Sequence, residues 1–220
     1  MTIIGFDFSI NFPAACISHN FETFKWVAVT NTKLSKSYLH FLEGINFEFP
    51  DIQIINLGAK DNHGESYSET ERKKLQNQLL LVNTLIEAVL TKIPQKPIIV
   101  GLEGFAYGAK GNSLVDIVQT TGILKKTITD KVLENNLAGM FIFSPAELKN
   151  AIGAKGNANK FDVFNQFIED PKIEAAKNSA LAQCLNKYNT ELVTSTEIKS
   201  PFPDLVDSYL SVLKIYQALQ

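Results

Sequence analysis

The chain opens on a run in which apolar and small residues surround one acid, Thr2-Ile3-Ile4-Gly5-Phe6-Asp7-Phe8-Ser9. It is too short and too rich in β-formers for a helix, and it predicts a first strand over 2–9. Two further strands are predicted over 14–18 and 23–29, joined by a turn at His19-Asn20, with Trp26 packed in the sheet they build. Apolar residues at Leu75, Leu79, Val82, Leu85, Ile86 and Val89 share one side of a helix expected over 70–93, which Pro94 stops. Pro97 to Gly104 reads as another strand, 112–136 as a long helix interrupted by Gly122, 141–143 as a short strand, and 161–167 as the apolar face of a further helix. The last segment, Pro203 to Tyr216, has the apolar spacing of a buried helix. Strands first, then helices alternating with strands, predict an α/β sheet.

Two of these strands repeat one arrangement: a glycine stands two residues before an acid, Gly5 before Asp7 and Gly101 before Glu103. Side chains alternate across a strand, so each glycine shares a face with its acid. A missing side chain on that face lets another element approach closely. The final segment is the expected element, because Asp204 and Asp207, three apart, fall on one face of a helix. Pro203 suits a first helical turn, which puts both aspartates near the positive end of the helix dipole and favours their ionised forms.

Four carboxylates brought together in this way form a set of hard oxygen ligands of the kind that Mg²⁺ or Mn²⁺ prefers. Two such ions, roughly 3.5–4 Å apart, stabilise both the attacking and the leaving oxygen of a phosphodiester displacement. Each acid alone has an ordinary explanation, since a strand-end acid can face water and first-turn acids complement the dipole. The conjunction of Asp7, Glu103, Asp204 and Asp207 is what points to metal-assisted hydrolysis.

Composition narrows the setting. The chain has 220 residues, 45% of them hydrophobic, and a mean hydropathy of +0.00, as expected of one globular domain spanning 1–220 with a substantial core. No apolar stretch approaches about 18 residues, so no membrane partner is expected. The N-terminus lacks a basic region before its apolar run, which argues against a signal peptide. Cys16 and Cys184 are distant and read as reduced core residues of a cytoplasmic protein. His19, His40 and His63 show no ligand spacing, so zinc is not expected.

A net charge of -2 counts mildly against nucleic-acid binding. The distribution offsets this, because from Phe105 to Lys160 seven lysines stand against four acids. The pentapeptide Gly-Ala-Lys-Gly-Asn occurs twice, at 108–112 and 153–157, each time before a segment of helical spacing. Neither copy ends in the Gly-Lys-Ser/Thr of a nucleotide-binding loop, so no nucleotide cofactor is expected. A glycine-flanked lysine beside a helix start can hold a backbone phosphate. A plain turn capped by asparagine explains each loop equally well alone. Position beside Glu103 and beside the lysines of 149–160 tilts Lys110 and Lys155 toward DNA contact.

The order of these acids, Asp7 on a first strand, Glu103 at a strand end, then Asp204-x-x-Asp207 on a last helix, resembles the RuvC-type Holliday junction resolvases of the RNase H-like superfamily. The segment Ser144 to Lys160 is similar to the stretch of that family that carries two DNA-contacting lysines, matched here by Lys149 and Lys160. The resemblance spans nearly the whole chain. It departs from the bacterial pattern in two places. The interval between Asp7 and Glu103 is longer, with the extra residues around 34–68 expected as an inserted loop. Bacterial members also place an aromatic three residues after the glutamate, where this chain has Ala106 between Phe105 and Tyr107. These departures suggest a phage-type or otherwise distant branch, with Phe105 or Tyr107 as the candidate aromatic at a junction.

The resemblance implies a mixed five-stranded RNase H-like sheet flanked by helices, with the first and fourth strands adjacent at its centre. It implies a metal-dependent, structure-selective endonuclease that acts as a homodimer on four-way or other branched DNA and leaves 5'-phosphate and 3'-hydroxyl ends. Asp7 would bridge two Mg²⁺ or Mn²⁺ ions, with Glu103, Asp204 and Asp207 completing their shells. A proofreading-type exonuclease fits less well, since Ser9 stands where a first-strand Asp-x-Glu would put its glutamate. A sugar-kinase-like ATPase would need a duplicated domain. From a different class, the alternative is a catalytically silent RNase H-like protein that binds branched nucleic acid or serves as a scaffold. Four unneeded buried carboxylates would cost it stability.

Overall fold

A computed structural model describes residues 1–93, 97–104, 112–133, 137–194 and 197–220. The elements run β1 (Thr2–Asp7), β2 (Ala14–His19), β3 (Thr23–Thr30), α1 (Lys36–Glu48), β4 (Ile52–Asn56), α2 (Tyr67–Leu90), β5 (Ile98–Glu103), α3 (Asn112–Leu133), β6 (Leu137–Phe143), α4 (Pro145–Ala151), α5 (Lys160–Glu169), α6 (Glu174–Lys177), α7 (Ala180–Lys187), α8 (Asn189–Leu192) and α9 (Phe202–Ala218). The strands form one six-stranded sheet in the order β4-β3-β2-β1-β5-β6. β2 is antiparallel to both neighbours, while β1, β5 and β6 pair in parallel, as do β3 and β4. The expected class, a mixed α/β sheet flanked by helices with β1 and β5 adjacent at its centre, is the observed one.

The sheet has six strands where five were expected, because the region 34–68 is not merely an inserted loop. It contains α1 and β4, and β4 extends the β3 edge of the sheet. Ser35 caps α1 by accepting a hydrogen bond from the Tyr38 amide at 3.2 Å. The side chain of Asn46 reads both backbone groups of Ile54, donating at 2.9 Å and accepting at 2.7 Å, which ties helix to strand. The periodicity of α1 was hidden because only Leu42 and Ile45 of the helix are buried, while Phe47 is 93% exposed and Gly44 interrupts the stripe.

Alternation splits each central strand between two cores. Ile4 and Phe6 of β1 and Ile98, Val100 and Leu102 of β5 pack with α2 and α3 on one face. Ile3 of β1 lies on the other face, in the core built mainly with α4, α5, α7 and α9, and Ile99 packs against it. Trp26 is fully buried in β3 and stacks on Phe24 with ring centroids 5.8 Å apart. Cys16 and Cys184 are buried and unpaired.

α2 is 24 residues long, which is about 36 Å of helix against about 20 Å for a six-residue strand. It therefore outruns the sheet, and of its expected stripe Leu75 and Leu79 remain exposed while Val82, Leu85, Ile86 and Val89 are buried. α3 runs unbroken through Gly122, around which there is open space, because a glycine weakens a helix by only about 1 kcal/mol. Among the described residues no helix is long and apolar enough to cross a membrane.

Candidate active site

The geometry of the site begins with two glycines. Gly5 of β1 and Gly101 of β5 stand side by side in the parallel register, one step before the Phe6–Leu102 pair and two before the acids at the strand ends. α9 crosses the sheet over this pair. A β-carbon on Gly5 would lie 2.2 Å from the Ser208 carbonyl oxygen and 3.0 Å from Ser211 Cβ, and one on Gly101 would lie 3.0 Å from both Ser211 Cβ and Ile215 Cδ1. Backbone can approach backbone here only because both side chains are missing. Small residues on the helix, Ser208 and Ser211, match the two glycines below them.

This approach carries the first turns of α9, with Asp204 and Asp207, to the ends of β1 and β5. Asp7, Glu103 and Asp207 line one cavity of about 220 Å³ together with Ser9, Lys149 and Lys160. Pro145, Leu148, Val163 and Leu210 supply its apolar walls. Asp204 is 2% exposed. α5 contributes Lys160 as its first residue, fixed by Asn159, which caps the helix reciprocally with Asp162. The Lys160 ammonium donates to Asp204 Oδ1 at 2.9 Å and stands 3.3 Å from Asp207 Oδ2.

The charges are crowded, and their protonation equilibria register it. Burial raises the Asp7 pKa well above the usual carboxylate range, and Asp207, Asp204 and Glu103 add repulsion that Lys160 only partly offsets. Glu103 is pushed up to about 7 by burial and by Asp207, against the pull of Lys149 and Lys160. Asp207 is pushed up to about 6, first by burial. Burial also raises Asp204, while its bond to Lys160 pulls the other way. Burial by itself would lower the Lys160 pKa, but Asp204, Asp207 and Asp7 more than offset it and keep the ammonium charged.

Among the described residues no group of three His, Cys, Asp or Glu side chains is drawn together tightly enough to hold an ion. The cation bonded to these acids is Lys160, and Lys149 lines the same cavity. The donor set nevertheless suits a hard divalent cation, being all carboxylate and holding more negative charge than one ammonium balances. The second oxygen of Asp204, Oδ2, is buried without a well-formed hydrogen bond, with Ser200 and its own backbone amide near enough only to lower its pKa.

Of the residues expected to touch DNA, Lys149 and Lys160 stand in this cavity. Lys149 also donates to the Ala158 carbonyl at 2.7 Å, which braces the turn between α4 and α5. Lys155 is exposed on that turn, away from the cavity lining. Within the second pentapeptide copy, Gly153 has a φ of +90°, but the cap of α5 is Asn159 and not Asn157. Phe105, Tyr107 and Lys110, with most of the first copy, lie outside the described residues.

Three solved structures are similar to this chain. RuvC of Thermus thermophilus matches at 11% identity over 99% of this chain and 96% of that one, with a TM-score of 0.44. The same protein in complex with a Holliday junction substrate matches at 11% over 100% and 96%, with a TM-score of 0.43. The yeast mitochondrial Holliday junction resolvase Ydc2 matches at 15% over 96% and 76%, with a TM-score of 0.48. No family model and no curated protein matches the chain. Likeness this distant leaves the functional reading to the residues of the site.

Two features of that site escaped the sequence. Ser9 lines the cavity and accepts a hydrogen bond from the Phe12 amide at 2.9 Å, shaping the loop after β1. Lys160 was expected at DNA, whereas here it is paired with Asp204 and Asp207. The signal available for its position was the Asn159-x-x-Asp162 spacing, which marks a helix start and so makes Lys160 the first helical residue.

Proposed function

We propose that the chain is a metal-dependent, structure-selective endonuclease that hydrolyses a phosphodiester bond in branched DNA, four-way junctions foremost. One observation carries the reading: α9 is seated on a glycine pair that brings Asp204 and Asp207 into the charge field of Asp7 and Glu103. No requirement of the core asks for four carboxylates there. Buried like charges destabilise a fold unless something relieves them.

Asp7, Glu103, Asp204 and Asp207 would hold the cations. When bound, divalent cations there supply Lewis acidity that activates water and stabilises the leaving oxygen. The chain's own residues do the rest. The rigid β1–β5 pair and α9 fix the carboxylates before substrate arrives. Leu148, Val163 and Leu210 keep the cavity partly dry, which strengthens every charge interaction inside it. Lys160 holds Asp204 and Asp207 in place and, as a half-exposed ammonium at the cavity mouth, is positioned to turn toward a phosphate. Lys149 adds a second positive charge on the same side. A homodimer would present two such sites to opposed strands. Leu79 and Leu80 of α2 and Val115 and Val118 of α3, all exposed, would offer the partner copy apolar side chains.

The test is to incubate purified protein with labelled four-way, Y-shaped and linear duplex DNA, with Mg²⁺ or with chelator. Nicking of branched substrates is expected only with metal. Asp7→Asn and Asp207→Asn proteins should fold and bind junctions but nick at background. Undiminished nicking by Asp7→Asn would remove the mechanism. Metal-independent junction binding with no nicking under any condition would favour the silent scaffold.

A further inference from the structure

The acid cavity does not end at Lys160. That residue also lines a second cavity of about 570 Å³ with Asn159, Phe161, Ser200 and Pro203. Ser200 and Glu197 line this space and, in turn, a third cavity of about 620 Å³ between the start of α1 and the segment before α9. The three share residues end to end, so a groove leads from the carboxylates to the part of the chain around α1 that the compact resolvase pattern lacks.

Its chemistry changes along the way. At the far end the floor is aromatic: Phe12, Tyr38 and Phe41 line it, and the rings of Tyr38 and Phe41 stack 5.8 Å apart at 14°. The Tyr38 hydroxyl donates to the Ser200 carbonyl at 2.8 Å, which locks this platform to the segment leading directly into α9. The Lys199 ammonium rests 5.7 Å from the Tyr38 ring centroid, the place a base would occupy. Lys33 and Lys199 are both exposed on the groove, and Lys160 stands where it meets the acids. Stacking faces with lysines spaced along one track are what unpaired nucleic acid needs. Glu191 and Glu197 also line the far end. Their charge disfavours an acidic peptide. A cavity of this size is the scale of a single nucleotide and not of a double helix.

We propose that this groove is a track for one unpaired DNA strand, which stacks on Tyr38, places its phosphates along Lys33, Lys199 and Lys160, and leads into the acid site. A base on Tyr38 displaces the Lys199 ammonium, which is then free to meet a phosphate. Among four-way junctions and other branches, those with an unpaired strand at or beside the branch point are accordingly preferred. This rests on the nuclease reading of the acid site, but the track is tested without catalysis.

Fluorescence anisotropy in chelator, with a labelled single strand of about a dozen nucleotides and with the same sequence as duplex, provides the test. The full-length protein should bind the single strand more tightly than the duplex. Combined Lys33→Glu and Lys199→Glu should weaken single-strand binding at least tenfold. Lys33→Ala with Lys199→Ala serves if the reversal fails to fold, and should lower the slope of log affinity against log salt by about 0.7 for each phosphate no longer neutralised. Tyr38→Ala should weaken binding while Tyr38→Phe keeps it. Equal affinity for duplex and single strand, or affinity unchanged in the lysine variants, overturns the track. Strand binding in chelator is read without nicking, so loss of the catalytic reading leaves this result standing, and the reverse also holds.

Discussion

The same two strands, β1 and β5, present opposite kinds of face. Toward α2 and α3 they show Ile4, Phe6, Val100 and Leu102, each no more than 1% exposed, in a core with no buried charge among the described residues. Toward α9 they show Ile3, then a glycine pair, then Asp7 and Glu103 facing Asp204 and Asp207. The first face is ordinary hydrophobic burial, worth about 25 cal/mol per Å². The second gives up two side chains to let a helix backbone settle on the sheet, then gathers like charges. The dry face lets the crowded face exist, since strands gripped on one side can hold carboxylates at fixed positions on the other.

Substitution on each face in turn breaks this comparison most sharply. Leu102→Ala should destabilise by about 2–5 kcal/mol through cavity formation, yet the molecules still folded well below the melting temperature should nick branched DNA as before. Gly5→Ala should cost about 1–3 kcal/mol or more, because the new methyl meets a helix carbonyl that cannot swing aside. It should also abolish nicking by pushing Asp204 and Asp207 off the acids of β1 and β5. Thermal melts with nicking assays on both variants check this, and equal activity losses on the two faces would erase the distinction.

The contrast between the faces also marks what could be read from sequence. Gly5 and Gly101, each two residues before an acid, announced a close approach on the acid face, and Asp204-x-x-Asp207 identified the helix that makes it. That the two strands are neighbours came from the family resemblance, and the observed parallel register then sets Gly5 beside Gly101. α1 and β4 were not legible, because α1 buries only two of its own residues and exposes Phe47, and because β4, with Ile52 and Ile54 buried, is a short edge strand. The break expected at Gly122 did not form, since helix propensity yields to packing over a span as long as α3. The ion pairs of Lys160 were hidden for a general reason. They join residues 44 and 47 positions apart through the angle between α5 and α9, which no local pattern encodes.

A smaller effect is expected from Lys160→Met. It removes the ammonium that pairs with Asp204 and Asp207, and because the Lys160 side chain is 57% exposed the loss is screened to about 1 kcal/mol in metal-free protein. Mg²⁺ or Mn²⁺ should then bind several-fold more tightly, since the cation no longer competes with the lysine. Thermal shift against metal concentration reads both, and weaker metal binding would show that Lys160 assists the cations instead of competing with them.

The mildest test is pH. Glu103 and Asp207 are pushed up to about 7 and about 6 in the folded chain, against roughly 4.3 and 3.9 when unfolded. Folded-state values above the unfolded ones favour protonation on folding, so their stabilising contribution is complete below about pH 4 and fades as pH rises through 6 to 7. Metal-free protein should lose a few degrees of melting temperature across that window. The increment given by Mg²⁺ should grow over the same range, because cations bind only the ionised acids. A melting temperature that rises from pH 5 to 8 without metal would contradict the crowded-acid description.

The most direct measurement is Mn²⁺ binding at about pH 8, followed by calorimetry or electron paramagnetic resonance, in the parent chain and in Asp7→Asn. The parent should take up two ions per chain, and Asp7→Asn should lose at least one of them while keeping its fold. A parent chain that binds no Mn²⁺, or an Asp7→Asn chain that binds it as well as the parent, would show that these four carboxylates do not share cations.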